Sequence, residues 1–169
     1  HVNDTHANIE NTPRQITAIK QERTGNTNNL LLHAGDVFSG TLYFNEFKGL
    51  ADLELMNLAG FDLMTFGNHE FDMGTETLLP FVKNADFPFV SANVDFSKDS
   101  LMKKLQHNKY TAKPQDGKIY DGIIKNINGE KVGIFGLTTA ETASISSPGD
   151  VKFEEYIAST KASVKAFKK

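Results

Sequence analysis

The feature that most limits the possible folds is a repeated punctuation, in which short apolar runs stop abruptly at glycine or polar residues with helical patterns between them. Leu30 to Ala34 ends at Gly35-Asp36, Phe61 to Phe66 ends at Gly67-Asn68-His69, and Phe87 to Val94 ("FPFVSANV") forms a third run. Runs of this length, bounded in this way, read as buried strands. Between the first two, Gly49 to Gly60 carries Leu50, Leu53, Met56 and Leu58 and closes on a glycine, as a helix does. Between the second and third, Thr75 to Asp86 places Leu78, Leu79 and Val82 at helical spacing, with Pro80 expected early in the helix or at a kink. The order strand, helix, strand, helix, strand predicts an α/β fold with parallel pairing through right-handed crossovers and helices covering the sheet. Ligands then bind at the carboxyl ends of the strands. Asp36, Asn68 and His69 fall there, so separate strands deliver them to one rim.

Further along, Asp95 to Gly117 holds Lys98, Asp99, Lys103, Lys104 and Gln106 and reads as a polar excursion with a short helix. Asn128-Gly129 divides the apolar runs Ile123 to Ile127 and Val132 to Leu137, the pattern of a tight β-hairpin, and makes the sheet mixed. Phe153, Tyr156, Ile157, Val164 and Phe167 are expected on the inner face of a terminal helix whose other face carries Lys161, Lys165 and Lys168. There is no internal repeat.

With 169 residues, 39% of them hydrophobic, the chain can bury one α/β-sized core or form part of a larger domain. A net charge of −3 and an isoelectric point near 6.0 give no electrostatic basis for binding a nucleic-acid polymer or an anionic membrane. No apolar stretch is long enough to span a bilayer. Cysteine is absent, so a metal would have to be held by His, Asp, Asn and water. The chain opens on His1-Val2-Asn3-Asp4, which reads as the end of a strand, and stops at Lys168-Lys169 without a breaker, so both ends are expected to be cut.

Residues suited to that chemistry cluster in three places. Asp4 and His6 are two apart, and in extended backbone they would point to one side and share an ion. Asp36 projects from a strand end behind Gly35, which permits close backbone approach. Ser39-Gly40-Thr41 follows, but without the lysine and spacing of a phosphate-binding loop. Asn68 offers an amide oxygen to hard or borderline cations, and His69 can ligate or move protons. Asp72, three residues on, can take the ring N–H of His69 and fix its orientation. Glu70 is expected to make a structural hydrogen bond. His1, His33 and His107 are expected to be structural or surface residues.

Taken in order, "NDTH", "AGDVFSGT", "FGNHEFD" and "FPFVSANV" resemble the amino-terminal metal domain of bacterial 5′-nucleotidases, within the calcineurin-like metallophosphoesterases, over most of the chain. The resemblance implies a partial metallophosphoesterase sandwich and hydrolysis of nucleotide phosphate esters, with 2′,3′-cyclic nucleotides as an alternative substrate. It implies two divalent metal ions, Mn, Zn or similar, with Asp4 and His6 on the first, Asp36 between them and Asn68 on the second; the ions supply an activated water and hold developing charge. His69 is implied as the histidine that stabilises the phosphoryl group or assists the leaving group, with Asp72 its partner. An extracellular, cell-wall-associated or periplasmic location in a bacterium is implied as well. The family's later histidines, including a Gly-His-x-His segment, have no counterpart in residues 1–169. The chain is therefore expected to be an amino-terminal fragment of the catalytic domain, without the carboxy-terminal substrate-binding domain. Alone it would bind metal weakly, about one ion, and turn over little substrate; a non-catalytic binding or structural role is the other reading.

Overall fold

The computed structural model describes residues 1–168. Six helices are present among them: α1 (Thr12–Thr24), α2 (Leu42–Phe47), α3 (Leu50–Ala59), α4 (Gly74–Lys83), α5 (Thr142–Ile145) and α6 (Tyr156–Phe167). The strands are β1 (Leu32–His33), β2 (Leu63–Met64), β3 (Phe89–Val90), β4 (Val94–Asp95), β5 (Gln106–Thr111), β6 (Ile119–Ile127), β7 (Glu130–Ile134) and β8 (Lys152–Phe153). The main sheet runs β1-β2-β3-β6-β5, all parallel, and β7 folds back antiparallel on the far half of β6. It is the α/β, mixed-sheet architecture expected, hairpin included. Val2 adds a single parallel bridge to His33, so the amino-terminal segment enters beside β1.

The core that fixes the strand ends is aromatic. Phe38, Phe66, Phe71, Phe81, Phe87, Phe89 and Phe96 are fully buried. Phe66 stacks on Phe89 at 5.1 Å and meets Phe71 edge-on at 5.9 Å. These rings flank the Gly67-Asn68-His69 turn on both sides, so its polar tip is held by wedges at each end. Truncating Phe66 to alanine would cost about 3–5 kcal/mol and release the turn.

Several expectations need correction. The strand regions pair over only two residues each, and "FPFVSANV" divides into β3 and β4, the latter pairing antiparallel with β8 in a separate small sheet. The reason lies in Asn93, which is buried between them and ties the turn to the backbone of Thr138 and Glu154. Pro80 lies not early in α4 but inside its second half, three residues before the end at Lys83. The polar excursion contains, besides the short helical turn Met102–Lys104, the whole of β5. Its Gln-His-Asn-Lys-Tyr-Thr sequence hides an edge strand, where side chains facing water need not be apolar.

The terminal helix is inverted relative to its apolar pattern. Ser159 and Ser163 are its buried residues, whereas Tyr156, Ile157 and Val164 are exposed. Ser163 satisfies its hydroxyl on Ser159 O and Tyr110 Oη, and small side chains let α6 approach the sheet, where Phe167 lies against Gly133 and Gly122. Phe153 belongs to β8 rather than to the helix. Finally, α1 and α2 add two helices to those the sequence pattern predicts. The α1 segment buries no residue fully, although Pro13 in its first turn and half-buried Ile16 and Ile19 on one face are legible signals of a helix.

Candidate metal centre

Four chain segments meet at the carboxyl ends of β1 and β2. Residues 4–7 lie along residues 35–37: the amides of Asp4, His6 and Ala7 donate to the carbonyls of Gly35, Asp36 and Val37 at 3.0, 3.1 and 2.9 Å. The extended backbone expected for Asp4-Thr5-His6 is not what forms. Asp4, His6, Ala7 and Asp36 all have left-handed φ, between 47° and 59°. Such backbone costs of order 1–3 kcal/mol per residue and persists only where its surroundings over-determine it, as these paired amides do.

Asp4 and His6 nevertheless stay together, with Asp4 Oδ1 3.7 Å from His6 Nε2. His6 Nδ1 lies 3.0 Å from Phe38 O. A carbonyl can only accept, so Nδ1 carries a proton, and in the neutral ring Nε2 is the nitrogen with the lone pair. One ligand atom from each of His6, Asp36 and His69 lies within 4.8 Å of the others. The two imidazoles meet edge-on at 4.8 Å between centroids.

Close packing of two glycines brings the loops into contact. A Cβ on Gly35 would stand 2.3 Å from Gly67 N, and one on Gly67 would stand 2.2 Å from Asp36 Oδ1. Across this contact His69 N donates to Asp36 Oδ1 at 2.9 Å. Beneath it lies Glu70, wholly buried, whose carboxylate accepts from Asp36 N (2.9 Å), Val37 N (2.7 Å), Phe38 N (3.3 Å) and Gly67 N (2.6 Å). Burial raises the Glu70 pKa above its ordinary value, and the amides of Asp36, Gly67 and Val37 oppose the shift by favouring the charged form. The structural hydrogen bond expected of Glu70 is thus a clamp on both loops.

His69 donates Nδ1–H to Asp72 Oδ2 at 2.7 Å, as its spacing predicts, leaving Nε2 for the site. Burial lowers the His69 pKa, but the hydrogen bond and charge of Asp72, with Asp36 and Glu70, raise it above the ordinary value. Burial likewise pushes Asp72 up, and hydrogen bonds from Ser39, His69 and Ser146 outweigh it and hold the carboxylate below its usual range. Ser39 Oγ donates to Asp72 Oδ2 at 2.6 Å, and the single Ser146 hydroxyl proton is shared between Asn68 O at 2.8 Å and Asp72 Oδ1 at 3.0 Å. Neither serine carries a sequence signal for this role: Ser39 lies in a Ser-Gly-Thr run without a phosphate-loop pattern, and Ser146 arrives from a loop 74 residues beyond Asp72. The Asn68 amide enters none of these hydrogen bonds. His33 is buried in β1, where its Nδ1 accepts from Gly35 N at 3.1 Å, and His107 stacks on Tyr120 at 5.4 Å; both are structural, as expected.

The donor set suits a divalent cation. It joins a carboxylate to two imidazoles, each with its second ring nitrogen committed to a carbonyl or a carboxylate, the arrangement that sets a metal-binding tautomer. His69 is close enough to ligate as well as to act on protons.

Comparison with known proteins bears on family and fold. The profile of the calcineurin-like phosphoesterase family matches residues 1–155. The trifunctional nucleotide phosphoesterase protein YfkN of Bacillus subtilis is 41% identical over 98% of this chain and 13% of its own length. The NAD 5′-nucleotidase of Haemophilus influenzae is 38% identical over 99% of this chain and 29% of its own. The crystal structure of a 5′-nucleotidase precursor from Thermus thermophilus superposes with a TM-score of 0.86 at 37% identity, covering 98% of this chain and 33% of that one. The chain thus spans a third or less of the length of each of these relatives. Proteins of this kind use divalent metal ions, and no described helix here is long and apolar enough to cross a membrane. The chain belongs to the calcineurin-like phosphoesterase family.

Proposed function

We propose that this chain is the metal-binding part of a 5′-nucleotidase-type phosphoesterase that hydrolyses nucleotide phosphate esters outside the cytoplasm. The observation that carries the reading is the convergence of His6, Asp36 and His69 at adjoining strand ends. The nucleotidase names of its relatives support the substrate class, and the precursor wording of one supports the location.

Asp4, His6, Asp36 and Asn68 are the residues that would hold two divalent cations of the Mn or Zn class. Such ions, when bound, activate water toward phosphorus and neutralise charge that develops on the phosphoryl oxygens. The chain's own contribution is placement. Phe38 O fixes the tautomer of the neutral His6 ring so that Nε2 is the nitrogen free to ligate, and the Gly35–Gly67 contact sets the Asp36 carboxylate beside the His69 turn. His69, oriented by Asp72, stabilises the phosphoryl group or gives the departing alkoxide its proton from Nε2. Asp72 remains ionised throughout, steadied by Ser39 and Ser146.

Manganese-supported hydrolysis of p-nitrophenyl phosphate and AMP, measured in the full-length protein, tests the assignment. Asp36→Asn and His69→Asn should each lower kcat by about 100-fold or more, the scale of a lost charge-stabilising group. Full activity in the double variant would refute it.

A further inference from the structure

Of the seven buried side-chain polar atoms that have no protein partner among the described residues, two belong to residues lining one cavity: His33 Nε2 and Asp52 Oδ2. The cavity lies between α1, α3 and β1, has a volume of about 30 Å³, and is otherwise walled by residues such as Ile16, Met56, Thr5 and Thr12. His33 is 2% exposed and Asp52 5%. An uncompensated buried polar atom costs of order 1–3 kcal/mol, so two facing one void call for a shared occupant. Their hydrogen-bonding characters are complementary. Gly35 N–H donates into His33 Nδ1, and burial lowers the His33 pKa to about 4, so the ring is neutral with its proton on Nε2. Nε2–H is therefore a donor, and Asp52 Oδ2 an acceptor. They make no direct hydrogen bond or ion pair, and the volume holds about one water, which needs at least two polar partners.

We propose that His33 and Asp52 are positioning residues joined by one internal water, which accepts from His33 Nε2–H and donates to Asp52 Oδ2. The bridge pins β1 to the first turn of α3. Through the Gly35 N–H bond on the other side of the same imidazole, it holds the Gly35-Asp36 turn in its left-handed form. A lost bridge lets the His33 ring rotate, and the Gly35 amide then loses its acceptor. The bridge stands on geometry alone; its bearing on metal affinity rests on the reading of Asp36 as a ligand.

The test uses the chain itself, by NMR and by Mn²⁺ calorimetry. A cross-relaxation peak between water and His33 Hε2 is expected, with the Nε2–H tautomer in the ring nitrogen shifts. Asp52→Leu should speed amide exchange at Gly35 by about 10-fold or more and weaken Mn²⁺ binding by a similar factor. Asp52→Asn, which keeps an acceptor oxygen, should stay within about 3-fold of the parent in both. Met56→Ala, a cavity-wall change that leaves the bridge intact, serves as the control for general destabilisation. It should loosen the fold without singling out Gly35. A missing water contact, a direct His33–Asp52 contact, or Gly35 exchange that responds equally to Asp52→Leu and Met56→Ala would overturn the proposal. Failure of the parent chain to bind Mn²⁺ would instead count against the metal-centre reading, while the water contact and Gly35 exchange still decide the bridge.

Discussion

Glu70→Gln is the substitution most revealing of how the site is held. In the parent, Oε1 accepts from Val37 and Phe38 and Oε2 from Asp36 and Gly67, all backbone amides. A glutamine of the same shape keeps one oxygen but turns an NH₂ toward two of those amides, donor against donor. Hydrogen bonds to a charged group contribute about 1.5–3 kcal/mol each, so losing two predicts destabilisation by about 3–6 kcal/mol. That is a large share of the roughly 5–15 kcal/mol available to a typical domain. Urea unfolding followed by circular dichroism measures it. The variant should also lose cation binding, because the same amides belong to the loops that carry Asp36 and precede His69. A loss below about 1 kcal/mol would refute the reasoning, since it would mean that Glu70 is not the ionised acceptor of four amides.

Other perturbations read other parts of the account. Asp72→Asn should cost about 10–100-fold in activity or metal affinity, as expected for a lost orienting carboxylate, and move the His69 midpoint to lower pH in an NMR titration of the metal-free chain, because burial is then opposed only by the charges of Asp36 and Glu70. The stability tied to the parent's His69 imidazolium is full below pH 6.5 and is lost as pH rises through the elevated folded value; the variant should show less of that slope. Gly67→Ala, whose new methyl would fall 2.2 Å from Asp36 Oδ1, should displace that carboxylate and abolish cation binding seen by calorimetry, at about 1–3 kcal/mol in stability. On α6, Ile157→Asp should change stability by less than about 0.5 kcal/mol, whereas Ser163→Leu should cost about 1–3 kcal/mol in the same urea assay, the reverse of what the helix's apolar pattern suggests.

What the sequence makes legible is the part of the molecule where local pattern and global fold agree. Apolar runs ending in glycine mark β1 and β2, Asn128-Gly129 marks the β6–β7 hairpin, and Asp72 announces its bond to His69 by spacing alone. Legibility fails where long-range contact decides. The left-handed backbone of Asp4, His6 and Asp36 is imposed by one loop lying along another, which no i, i+2 argument can foresee. Ser146 reaches Asp72 only because the chain returns across the strand ends after β7. In α6, two serines displace the apolar residues from the interface because Tyr110, Gly122 and Gly133 offer a close, polar-tolerant surface. Strand β5 escapes notice because an edge strand can be polar.

The central claim is that Asp4, His6, Asp36 and Asn68 hold cations at the strand ends, with His69 adjoining His6 and Asp36. Anomalous diffraction from a crystal of this chain soaked in Mn²⁺ measures that most directly. The account predicts a manganese peak within coordination distance of Asp36 and of His6 Nε2. Manganese bound only elsewhere, or no peak at Asp36 at saturating Mn²⁺, would contradict it.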